Sequence, residues 1–70
     1  MTDNNDKAVG KKIRDLRRSA GLTQVGLSEK ANIESNTIAR LERGEHTAST
    51  STLQKLAKAL NVKVSDILDY

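Results

Sequence analysis

The chain has 70 residues, no cysteine and a net charge of +3, enough for one domain and without any disulfide or thiolate metal site to reinforce it. No run nears the roughly 18 apolar residues of a membrane span, and the polar, acidic N-terminus MTDNNDK lacks the apolar stretch of a signal peptide. A domain this short buries only about 60% of its unfolded surface, and its one aromatic residue, Tyr70, is too few for the stacking platforms that bind single strands.

A soluble, cytoplasmic protein is expected, with residues 1–5 a disordered tail and residues 6–70 a single domain. There is no proline and no alternating strand pattern; apolar residues recur at helical spacing throughout. A first helix, Asp6 to Ala20, places Val9, Ile13, Leu16 and Ala20 on one stripe. Lys7, Lys11, Arg14 and Arg18 face water on the other, with Arg17 at the edge. Gly21 supplies the stop. Thr23 is a good N-cap for a second helix, Gln24 to Ala31, with Leu27 and Ala31 inward. Asn32 tolerates left-handed backbone. The apolar series Ile33, Ile38 and Leu41 then predicts a third helix, Ser35 to Arg43, closed by Gly44 and crossing the second steeply. Residues 45–51 form a polar loop. Thr52 caps a fourth helix, Leu53 to Leu60, with Leu53, Leu56, Ala57 and Leu60 inward, and Asn61 ends it. Ser65 caps a short fifth, Asp66 to Asp69, burying Ile67 and Leu68. The expected fold is all-α, five short helices around one core.

Charge is uneven along this chain. Residues 1–43 carry nine basic and six acidic groups, and residues 44–70 carry three of each. A one-sided basic field suits a polyanionic partner, although a solvated helix face has the same composition.

The stretch from Gln24 to Arg43 meets several spacing requirements of a helix-turn-helix together. Leu27, Ala31, Ile33, Ile38 and Leu41 stand where the two helices touch, Ser28 is small where they cross, and Asn32 sits in the turn. With KKIRDLRRSAGLTQ, LSEKANI, TIARLERG and LQKLAKALNVKVSDIL, the sequence resembles the phage repressor and Cro family of helix-turn-helix proteins, the XRE type, from about Val9 to Leu68. The resemblance implies a lambda-repressor-like domain that enters the major groove of double-stranded DNA, usually as a symmetric homodimer, and regulates transcription; whether it represses or activates depends on where the operator lies relative to the promoter. Four positions depart from the family pattern. Gly26 occupies a site usually held by a helix former, Asn32 replaces a common glycine, Glu34 is a poor N-cap, and Ala48 replaces a frequent proline.

Under that resemblance the start of the third helix projects furthest into the groove. Asn36 can pair with adenine N6 and N7, Arg40 can fork onto guanine O6 and N7, and Ser35 can meet several base edges. Gln24 presents a backbone N–H to phosphate and can reach an adenine. Thr23, Thr37 and Arg43, with Arg17 and Lys12, are expected on the phosphate backbone. The resemblance also implies a partly buried Arg17–Glu42 salt bridge bracing the first helix against the third. Val64, Leu68 and Tyr70 are the candidate dimer contact; core or chain-end roles suit them equally. No cofactor or metal is expected. The lone histidine, His46, lies in a polar loop with no nucleophile or paired carboxylate around it, so an enzyme is not expected. The rival expectation is a protein-interaction module of the same fold, such as an antitoxin-like partner binder. A phage-type repressor, a restriction–modification controller and an antitoxin-like autoregulator, acting alone or with a second regulatory protein, all fit the residues.

Overall fold

Five helices follow one another in the computed structural model, which describes residues 4–68: α1 (Asn4–Ser19), α2 (Gln24–Ala31), α3 (Ser35–Glu42), α4 (Thr50–Leu60) and α5 (Val64–Ile67). Among the described residues there is no strand, and no helix is long and apolar enough to cross a membrane. α1 packs on α3, α3 on α2, and α2 on α4, while α5 closes against α4 and α1. Each helix sends at least one fully enclosed side chain to the centre: Ile13, Leu27, Ile38 and Leu41, Leu56, and Ile67. Burying each such side chain contributes about 1.5–3 kcal/mol. α3 is thereby held between α1 and α2.

The first four helices end in the same way. Gly21, Asn32, Gly44 and Asn61 all take left-handed backbone. At each, that residue's N–H and the next residue's N–H donate back to carbonyls of the last turn. At Gly21 these bonds run to Arg18 (3.0 Å) and from Leu22 to Arg17 (3.0 Å); at Asn32 they run to Glu29 (3.4 Å) and from Ile33 to Ser28 (2.9 Å). This Schellman arrangement satisfies carbonyls that a helix end otherwise leaves unpaired. Glycine has no Cβ to oppose the geometry and asparagine tolerates it best among the rest.

Several boundaries differ from the expectation. α1 opens at Asn4, so Asn4 and Asn5 are helical rather than part of a tail; residues 1–3 lie outside the described residues. Asp6 favours the positive end of the helix, and its carboxylate accepts a hydrogen bond from the Thr47 hydroxyl at 2.7 Å. α4 starts at Thr50, because Ser49 rather than Thr52 is the cap: its side chain accepts the Thr52 N–H. α5 starts at Val64 behind Lys63, whose N–H donates to the Asp66 carboxylate at 2.9 Å, and Ser65 lies inside the helix. Two apolar assignments also fail. Ala20 is exposed because the chain has left the helix there, and Leu68 is exposed because α5 ends at Ile67. Arg14, expected to face water, is half-buried, with its Nε enclosed.

Candidate nucleic-acid interface

The angle between α2 and α3 rests on short-range chemistry. Thr23 caps α2 by accepting the Gly26 N–H at 2.9 Å. Asn32 turns the chain with φ 57° and ψ 47°. Ser28 is buried where the helices cross, and its hydroxyl donates to the Val25 carbonyl at 2.6 Å, so the small polar group costs no unpaired donor there. Leu27, Ala31, Ile38 and Leu41 are buried as expected, and Ile33 packs half-buried against them.

The inner side of α3 is locked to α1. A Cβ added to Gly10 would lie 2.1 Å from the Leu41 carbonyl oxygen and 3.0 Å from that of Glu42. Only glycine permits this approach. One turn away, Gly44 lies against Lys7: a Cβ there would lie 2.7 Å from the lysine Cγ, and its φ is +74°. Neither contact was anticipated. The one sequence signal for Gly10 is a glycine in mid-helix, which costs about 1 kcal/mol against alanine and therefore calls for a packing reason.

Beside that crossing, Arg17 and Glu42 meet in a two-pronged pair. Arg17 Nε donates to Glu42 Oε2 at 2.6 Å and Nη2 donates to Oε1 at 3.0 Å, while Nη1 donates to the Leu22 carbonyl at 2.9 Å. Gln24 Nε2 adds a bond to Glu42 Oε1 at 3.1 Å. Burial pushes the Glu42 carboxyl up, but the hydrogen bonds from Arg17 and Gln24, with the charges of Arg17 and Arg14, outweigh it and hold the group below its ordinary value. The bond to Glu42 raises Arg17, against its own desolvation. Three helices thus meet at one carboxylate. The expected pair is present and more deeply enclosed than expected, with only 10% of the arginine side chain accessible. All three Arg17 nitrogens are turned inward. The Gln24 bond to Glu42 was also unanticipated.

The outer side of α3 is open. Ser35, Asn36, Arg40 and Arg43 are exposed, with Thr37 half-buried between them. Thr23 is exposed and Gln24 half-buried at the adjoining start of α2. Arg43 forms an exposed pair with Glu45 at 3.0 Å, and Lys12 is half-buried on α1. Of the other candidate contact, Leu68 is 42% exposed and Val64 packs half-buried on the core, while Tyr70 lies outside the described residues.

A family model described as helix-turn-helix matches residues 13–67. The chain is similar to an immunity repressor protein of Bacillus phage phi105, with 43% identity over 86% of this chain and 42% of that protein. It is similar to the control protein C.BamHI of Bacillus amyloliquefaciens, with 32% identity over all of this chain and 88% of that protein. Among solved structures it is similar to the restriction-modification controller protein C.AhdI from Aeromonas hydrophila: the TM-score is 0.90 at 26% identity, over 93% of this chain and 98% of that one. The chain thus spans less than half of the phage repressor and most of each control protein.

Proposed function

The chain belongs to the helix-turn-helix family, and from that premise we propose that it is a sequence-specific regulator of transcription. It lays the outer side of α3 in the major groove of a near-palindromic operator and binds as a homodimer in the cytoplasm. One observation carries this reading. α3 is fixed on its inner side by Gly10 and the Arg17–Glu42 pair, while Ser35, Asn36 and Arg40 make no side-chain bond to the other described residues. A rigidly held helix with an unengaged polar face is what base readout requires, because loose placement would blur the hydrogen-bond pattern of the groove.

Within this reading Asn36 and Arg40 read adenine and guanine edges, and Ser35 contacts a base with less discrimination. Gln24 joins the base contacts through the amide oxygen that its bond to Glu42 leaves over. Thr23, Thr37 and Arg43 hold phosphates. Arg17 acts as a brace, since each of its three nitrogens already donates within the chain. Of the candidate dimer contacts, Leu68 is the one that meets a partner, because it is exposed whereas Val64 packs on the core.

The test is a salt titration of duplex binding. Affinity falls by roughly one log unit per log of salt for each phosphate neutralised. Absence of duplex binding at low salt would turn the reading to a protein-interaction module. Sedimentation of the free protein tests the dimer: a Leu68→Lys variant shifts the population towards monomer.

A further inference from the structure

Resting on that reading of α3, we propose that Glu34 is a specificity-determining residue whose carboxylate accepts a hydrogen bond from the N4 amino group of a cytosine in the major groove. Glu34 occupies the N-cap of α3 in extended backbone (φ −62°, ψ 140°), it is exposed, and its side chain makes no capping bond. The reason is local. Its own carbonyl already accepts the Thr37 N–H at 3.0 Å and the Ile38 N–H at 3.1 Å. The third N–H of the helix, one of the two that a short capping side chain ordinarily satisfies, is therefore already bonded, and folding the carboxylate back onto it gains little. Among the described residues the side chain also has no ion-pair partner. A free carboxylate is left one residue before Ser35 and two before Asn36, at the end of α3 that enters the groove first.

The chemistry selects the base. An ionised carboxylate only accepts hydrogen bonds. Guanine offers it two acceptors and thymine offers an acceptor and a methyl group. The adenine amino group stands beside the N7 acceptor, whereas the amino group of cytosine has no acceptor on its own ring edge beside it. The positive end of α3 offsets part of the repulsion that a carboxylate meets near phosphates. Glu34 thus rejects three bases more strongly than it attracts the fourth, a form of selectivity built on repulsion.

Binding-site selection from random duplexes, run on the wild-type protein and on Glu34→Ala and Glu34→Gln, tests the assignment. The wild type is expected to require cytosine at one position of each half-site, by about tenfold over other bases. Glu34→Ala is expected to lose that preference and keep those assigned to Asn36 and Arg40. Glu34→Gln is expected to move it towards adenine. In the selected operator, replacing that cytosine by 2-pyrimidinone, which lacks the amino group, is expected to weaken the wild type by a similar factor and leave Glu34→Ala unaffected. Wild-type binding that ignores the missing amino group overturns the proposal. So does an unchanged base profile in Glu34→Ala with affinity raised equally on every duplex, which would make Glu34 a general repulsive charge. If the wild type enriches no sequence at all, the reading of α3 itself falls, and this assignment with it.

Discussion

The two sides of α3 follow opposite rules. On the inner side backbone and side chains interlock: Gly10 admits the Leu41 carbonyl, and Glu42 gathers bonds from Arg17 and Gln24. On the outer side Ser35, Asn36 and Arg40 make no side-chain bond among the described residues. The inner side determines where the helix lies and tolerates little change. The outer side contributes almost nothing to holding it there, so it can vary with the DNA sequence it meets. On the proposed reading, stability and specificity are thus separated across a helix of eight residues.

Breaking the inner side has the largest effect. Glu42→Ala leaves the enclosed Arg17 charge without its partner, and about 3–5 kcal/mol of stability is expected to go. Urea unfolding reads this directly, and a midpoint equal to the wild type would mean that the pair is not a brace. Gly10→Ala comes next, at about 1–3 kcal/mol, because the new methyl group meets backbone carbonyls rather than a movable side chain. Duplex affinity is expected to fall with it, as α1 is pushed off the carbonyl end of α3.

Acid provides a graded version of the first test. The Glu42 carboxyl is lowered in the folded chain, so the unfolded chain takes up the proton first as pH falls. The stability this group contributes is complete above its ordinary value of 4.5 and is lost as pH drops through the lowered folded value. Exposed Asp15 shifts the same way through its bond with Lys11. Glu42→Gln isolates the Glu42 share: its urea midpoint is expected to vary less with pH below about 4.5 than that of the wild type.

The smallest effect on folding belongs to the outer side. Arg43→Ala is expected to leave the thermal midpoint within about 1 kcal/mol of stability, since its pair with Glu45 is exposed at both ends. It is expected to weaken binding to all duplexes alike and to reduce the salt slope by about one. A loss confined to one sequence would reverse its assigned role.

How far these two sides were legible in the sequence differs for a physical reason. The spacing of Leu27, Ala31, Ile38 and Leu41 reveals the helix pair, because burial leaves a periodic signature. Asn32 reveals the turn, because few residues accept left-handed backbone. Gly10 conceals its role: an absent side chain says where backbone can approach, and nothing of what approaches it. Gln24 was equally ambiguous, since one amide can face the DNA or Glu42. Errors at Ala20 and Leu68 arose from extending an apolar spacing past the point where the helix ended. At Ser49 and Thr52 two good capping residues stood three apart, and only the N–H they share distinguishes them. The Arg17–Glu42 pair was accessible through family resemblance rather than spacing, because the two lie 25 residues apart.

The separation between a held side and a reading side is tested most directly by selecting duplexes from a random pool with the wild-type protein and with Arg40→Ala. The wild type is expected to enrich a near-palindrome with half-sites about one helical turn apart. Arg40→Ala is expected to lose preference at one base pair of each half-site, worth about 1–3 kcal/mol, while unfolding at the wild-type midpoint. Equal weakening on every sequence, or a lowered unfolding midpoint, would contradict the account by placing Arg40 on the structural side of the helix.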